Sequence, residues 1–224
     1  MEFFEKIKSL HKEELKEKDK RILVHCCCAV CFGYPSQLLR MLGYIPTAYF
    51  FNPNIYPKNE YDRRLEELRS YCKKYDFELI EEDIEGDLSP KYFYDNIKGL
   101  EKEPEKGLRC NKCFELRLVQ TAKKAKELGF KKFTTTLTVS PHKVSENIFA
   151  EAFKAAKTEG VEFTRFDFKK NNGFNITQKI ANFNNMYKQT YCGCEFSIKK
   201  PKEDKNETET PAKADNQDSQ AAEN

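Results

Sequence analysis

The sequence predicts an α/β fold: a Rossmann-like parallel sheet with helices on both faces and a metal site at the carboxyl edge of its strands. Three observations predict it. Short apolar runs alternate with stretches of helical period along the chain, the pattern of units that wind a parallel sheet. The first apolar run passes straight into a cysteine-dense loop, and ligands of such sheets gather outside the strand carboxyl ends. Hydrophobic residues make up 39% of the 224 and aromatics 13%. That is enough for a packed core without disulfide staples, so the nine cysteines need a chemical reason.

Taken in order, residues 1–20 read as an N-terminal amphipathic helix with Phe3, Phe4, Ile7 and Leu10 on one side. Arg21–His25 is the first strand. The loop Cys26–Gly33 follows, then a helix from Pro35 to Leu42 closed by Gly43. Thr47–Phe51 is a second strand ending in the turn residues Asn52-Pro53-Asn54. A charged helix covers Lys58–Tyr75, with Tyr61, Leu65 and Leu68 at helical spacing, and Phe77–Ile80 is a third strand. Residues 83–109 read as a long irregular connection, and connections of that length are usually functional.

The clearest helix is Cys110–Leu128, where Phe114, Leu118, Ala122, Ala125 and Leu128 recur at intervals of three and four before Gly129. Phe133–Val139 is a buried strand, Val144–Thr158 a helix and Val161–Phe168 a last strand. Thr177–Tyr187 is a final helix leading to Tyr191-Cys192-Gly193-Cys194. Residues 21–198 thus form a single catalytic α/β domain. Residues 199–224 hold no aromatic and no Leu, Ile, Val or Met; such a segment cannot offset its ordering entropy and is expected to be a disordered tail.

No apolar run approaches the roughly 20 residues that span a bilayer, and the start shows no signal-peptide pattern. The expected location is the cytoplasm, with no membrane partner. There, clustered cysteines indicate metal binding or redox catalysis rather than a disulfide framework. The net charge of +3 decides nothing. Lys131-Lys132, Lys169-Lys170, Arg63-Arg64 and Lys123/Lys124/Lys126 suit phosphate contacts or a solvated surface equally.

Apart from Cys72, the cysteines form three groups: Cys26, Cys27, Cys28 and Cys31; Cys110 and Cys113; Cys192 and Cys194. Cys110 and Cys113 project from one face of a first helical turn, where the helix dipole favours the thiolate that binds metal. Two ligands from there and two from Cys26–Cys31 complete a four-sulfur site. An iron–sulfur cluster, a structural zinc and redox thiols without metal all fit the spacing. An adjacent cysteine pair is unusual beside the paired knuckles of zinc sites. Cys192 and Cys194 read as a strained, easily reduced disulfide, as ligands of a second metal with Cys31 as a third thiolate, or as two free thiols near a flexible end. His25 reads as a hydrogen-bonded structural histidine, His142 as a loop histidine and Cys72 as a half-buried bystander. Tyr191, beside Cys192, either donates a proton or packs.

These motifs, His25-Cys26-Cys27-Cys28-Ala29-Val30-Cys31, Asn52-Pro53-Asn54-Ile55, Arg109-Cys110-Asn111-Lys112-Cys113, Thr134-Thr135-Thr136-Leu137 with Ser140-Pro141, and Tyr191-Cys192-Gly193-Cys194, resemble those of the cobalamin-independent epoxyqueuosine reductases of tRNA modification. They run in family order from residue 22 to about 198. Cys26, and Val30 where proline is common, depart from the pattern. The resemblance implies a fold like that of adenine-nucleotide hydrolases. It also implies a [4Fe-4S] cluster on Cys27, Cys28, Cys110 and Cys113. Catalytic roles fall to Cys192, Cys194 and Cys31, as a redox pair or around a second iron or zinc ion. The implied substrate is the anticodon loop of a tRNA carrying epoxyqueuosine, reduced to queuosine with electrons from an unidentified donor. Unstacked loop bases can be splayed into a pocket, gripped by basic clusters and by Tyr56, Tyr61 and Tyr92.

Two other readings stand beside this one. A cluster-bearing tRNA sulfur transferase would carry a Ser-Gly-Gly-x-Asp-Ser loop after the first strand, and Cys26–Gly33 occupies that place. A zinc-binding RNA module would be colourless where a cluster protein is brown. Glycine-rich nucleotide motifs are absent, which disfavours a nicotinamide-dependent reductase.

Overall fold

The computed structural model describes residues 18–198, together with Ser9. The helix expected over 1–20 and the disordered tail expected over 199–224 lie, but for 18–20 and Ser9, outside the described residues. The elements run β1 (Arg21–His25), α1 (Ala29–Met41), β2 (Ile45–Phe50), α2 (Lys58–Tyr75) and β3 (Leu79–Glu81). After them come α3 (Pro90–Asn96), α4 (Leu108–Glu127), β4 (Lys132–Thr135), α5 (Ser145–Glu159), β5 (Glu162–Phe163) and α6 (Gly173–Phe183). The strands form one sheet in the order β3-β2-β1-β4-β5, and every pairing is parallel. The α/β class and parallel sheet expected from the sequence are present.

Alternation along β1 sends its side chains to two cores. Ile22 and Val24 join Ala48, Phe50 and the inner faces of α1, α2 and α6 on one side. Leu23 joins Tyr49, Phe133 and the apolar stripes of α4 and α5 on the other. Both faces of β1 are therefore dry, which explains its unbroken apolar sequence.

Several boundaries differ from the sequence expectation. α1 begins at Ala29, not Pro35, because the Cys28 thiol caps it by accepting the Cys31 N–H at 3.4 Å. Pro35 sits inside the helix and removes one N–H from its ladder. The connection 83–109 contains α3 and a short 3₁₀ turn, Gly86–Leu88. The strand expected over 133–139 becomes a 3₁₀ turn at Thr136–Val139. β5 consequently loses its partner after Phe163. The last rung is Thr164 N–H to the Phe133 carbonyl at 2.9 Å, and beyond it the Thr138 hydroxyl holds Phe166 and Phe168 instead. α6 starts at Gly173, ahead of the expected Thr177, in a crowded turn where a Cβ would lie 1.9 Å from the Phe168 carbonyl oxygen.

Candidate metal centre

β1 lies between β2 and β4, so the strand order reverses there and a crevice opens beyond its carboxyl end. His25 closes the floor of that crevice. Its Nδ1 is 3.0 Å from the Thr135 hydroxyl and its Nε2 is 3.3 Å from the Phe51 carbonyl. The Leu137 N–H donates to the same hydroxyl at 3.2 Å, so Thr135 donates to Nδ1 and the ring keeps its proton on Nε2. Burial, aided by the charge of Arg117, pulls the pKa of His25 down to about 3. It is a neutral strut across three strands, as the sequence suggested.

The chain then enters the sulfur group. The thiols of Cys27, Cys28 and Cys31 lie within 4.8 Å of one another and all three residues are buried. Hydrogen bonds from Cys28 and Cys31 hold the Cys27 thiol well below its ordinary range, with Lys143 and Arg64 assisting. Bonds to Cys27 and Cys28 raise Cys31, and the bond to Cys27 raises Cys28. Three thiols this close, with nearby positive charge favouring the thiolate at Cys27, are the donor set of a soft metal. Cys26 takes no part. Its thiol points to the Tyr49 carbonyl at 3.5 Å, in the core cluster that also holds Cys72, and burial raises the pKa of both. Cys72 is buried rather than half-buried, and it too stands outside the sulfur group.

Cys110 and Cys113 stand in the first turns of α4. Cys110 is partly exposed and accepts the Lys106 N–H at 3.3 Å. Cys113 is buried beside Cys194, Phe93, Ile97 and Leu116, and burial pushes its pKa up to about 12. The second and third cysteine groups therefore meet through Cys113 and Cys194. Among the described residues the tightest sulfur group takes Cys31 as its third member and does not include Cys110 or Cys113. Cys192 and Cys194 are free thiols.

Arg64 ties the third group down. It is completely buried. Its Nε donates to Glu60 at 2.7 Å, and its terminal nitrogens donate to the carbonyls of Cys192 at 3.1 Å and Tyr191 at 3.3 Å. The Gly193 carbonyl accepts the Tyr56 N–H at 2.8 Å. Gly193 has φ +130, and a Cβ there would come within 3.0 Å of Arg64 and 3.2 Å of Ile55, so the close approach requires glycine. Tyr191 is occupied structurally, its hydroxyl bonding the Tyr56 carbonyl.

Three residues escaped the sequence reading, and a fourth, Arg64, was read only as half of a basic pair. Gln189 aims its side-chain N–H at Cys28 Sγ (3.1 Å) and Cys31 Sγ (4.0 Å). Lys143, Arg64 and Arg117 bring positive charge to the thiols. Burial acts to discharge Lys143, but Cys192, Cys27 and Cys31 outweigh it and raise its pKa. Only Arg117 carried a local signal, four residues after Cys113. The expected RNA grips divide. Tyr61 is buried against Phe50, ring centres 5.1 Å apart, and Lys132 and Arg64 are buried as well; none of these can reach a polyanion. Tyr92 is half-buried, while Tyr56 is 47% exposed beside the Cys192–Cys194 loop. His142 is an exposed loop residue. A surface cavity at the end of β3 is lined by Lys58, Tyr61, Glu81, Glu82, Asp83 and Glu85; it holds no cysteine. No helix among the described residues is long and apolar enough to cross a membrane.

Residues 22–200 match the family model described as Epoxyqueuosine reductase QueH. The chain is 39% identical over 180 residues to the Epoxyqueuosine reductase QueH of Streptococcus pyogenes, covering 80% of this chain and 70% of that protein. It is 34% identical over 189 residues to the protein of that name from Acinetobacter baylyi, covering 84% and 85%. The Helicobacter pylori relative is 39% identical over 193 residues, and the match spans 83% of this chain but 51% of that longer protein.

Proposed function

Because the chain belongs to the Epoxyqueuosine reductase QueH family, we propose that it is the tRNA-directed oxidoreductase of queuosine biosynthesis that converts epoxyqueuosine to queuosine. The observation that carries the reading is the buried Cys27/Cys28/Cys31 group at the point where the strand order reverses. The reaction consumes two electrons and two protons, and the epoxide oxygen leaves as water.

The residues present fit a sulfur-held metal group. The thiols are free, closely grouped and surrounded by Arg64, Arg117 and Lys143. Cys27, Cys28, Cys110 and Cys113 would hold a [4Fe-4S] cluster. Cys31, Cys192 and Cys194 would stand beside it, as ligands of a second iron or zinc ion or as a redox pair. Such a cluster, when bound, supplies electrons one at a time from an external donor.

The protein's own residues do the rest. Gln189 orients Cys28 and Cys31 by its hydrogen bonds. Arg64 fixes the Cys192–Cys194 backbone against the Asn54–Tyr56 turn. His25 keeps the crevice floor neutral and closed. At the rim, Tyr56 offers a stacking face for an unpaired base of the anticodon loop, and Lys170, exposed near the Lys143 loop, offers charge to a phosphate. Work on tRNA implies the cytoplasm as the place of action.

The deciding experiment is anaerobic incubation of the iron-loaded protein with epoxyqueuosine-containing tRNA and a strong reductant, followed by nucleoside analysis. Queuosine is the expected product. Its absence with a fully loaded protein, or zinc without iron in protein purified anaerobically, overturns the reading.

A further inference from the structure

Arg117 stands four residues after Cys113 and seven after Cys110 on α4, so the three side chains leave the helix on one face. Its side chain leans toward the helix N-terminus, back over the turn that carries Cys113. It is 2% exposed. Its Nε donates to the Cys113 carbonyl at 3.1 Å, while one terminal nitrogen is buried with no hydrogen-bond partner. Among the described residues it forms no ion pair with a carboxylate. A guanidinium does not shed its charge, and a buried cation without a counter-ion is strongly disfavoured. Its charge disfavours protonation of His25, and the groups that in turn favour its own charge are sulfurs: Cys113, Cys192, Cys27 and Cys194. These belong to all three cysteine groups.

We propose that Arg117 is a positioning residue of the metal centre, the fixed counter-charge of its thiolate-held group, which favours electron uptake by that group. The inference rests on the metal-centre reading given above. Each electron accepted makes a thiolate-ligated centre one unit more negative. A cation fixed beside it in a water-poor interior therefore stabilises the reduced form more than the oxidised form. Removing the charge lowers the reduction potential. The N–H donor left without a partner would add to the effect, since hydrogen bonds to sulfur ligands shift the potential the same way.

The test compares wild type, Arg117→Gln and Arg117→Lys, purified anaerobically, by iron, zinc and sulfide analysis and by redox titration with dithionite followed in visible absorption and electron paramagnetic resonance. At a potential that half-reduces the wild type, Arg117→Gln should show a reduced-to-oxidised ratio lower by about tenfold, the order expected for losing one nearby charge. Arg117→Lys should recover most of it. An Arg117→Gln protein with wild-type iron and an unchanged titration curve overturns the proposal. Should Arg117→Gln fail to fold or load, the lysine variant decides. Iron restored by lysine supports the counter-charge, whereas a lysine variant that folds by circular dichroism yet takes up no iron refutes it. Wild-type protein holding only zinc, with no titratable band, would instead remove the metal reading itself.

Discussion

Cys26 and Cys27 are neighbours in sequence and opposites in role. The extended backbone leaving β1 sends successive side chains to opposite faces. Cys27 enters the sulfur group and Cys26 enters the core beside the Tyr49 carbonyl. Cys26→Ala should keep the full metal content and cost about 1 kcal/mol, the scale of a small buried truncation. Cys27→Ser should lose the metal. Metal analysis and urea unfolding check both, and metal loss on Cys26→Ala would break the assignment. The Cys27, Cys28 and Cys31 grouping was legible because four or five residues of chain hold it together. Gln189 was not. It reaches Cys28 from the far end of the described chain, and a lone glutamine in a polar loop carries no local signature. The gripping role given to Tyr61 failed for a related reason. Its helical spacing marks the buried stripe of α2, and it packs on Phe50.

Among the elements, α4 joins two tasks. Its first turns carry Cys110, Cys113 and Arg117, with Cys113 buried beside Cys194, and its later turns bury Leu118, Ala122 and Ala125 against Leu23, Tyr49 and Phe133. Leu118 has no exposed surface. Leu118→Ala should therefore destabilise the protein by about 2–5 kcal/mol, read by chemical denaturation at matched metal content, with nucleoside turnover per loaded centre little changed. A cost below about 0.5 kcal/mol, the range of surface substitutions, would contradict the packing. Helices with strong period were legible to within a few residues, as α2 and α4 attest. The start of α1 was not, because a cysteine caps it in place of the usual Ser, Thr, Asp or Asn. The length of β5 was not legible either. It depends on where β4 bends away, which is a property of its neighbour.

For the whole molecule, the strand order β3-β2-β1-β4-β5 puts the loops after β1 and β4 and the amino end of α4 around one crevice. The exposed ring of Tyr56 lies on its rim, and its backbone is bonded to Gly193. Tyr56→Ala leaves those backbone bonds in place. It should weaken tRNA binding by about 1–3 kcal/mol, the worth of one base–aromatic stack, with metal content unchanged. Gel-shift titration measures this, and wild-type affinity would remove Tyr56 from the RNA surface. Burial of charge was the part of this surface hidden from the sequence. Basic pairs such as Lys131-Lys132 resemble those at Lys169-Lys170 in composition, yet Lys132 is enclosed in the sheet while Lys169 is half-buried and bonds the Lys143 carbonyl.

The clamp that Arg64 and Tyr56 place on the Cys192–Cys194 loop also sets an order of assembly. Arg64 and the Cys192 carbonyl it holds are 128 positions apart, so the loop cannot latch until nearly all of the described chain has been made and folded back.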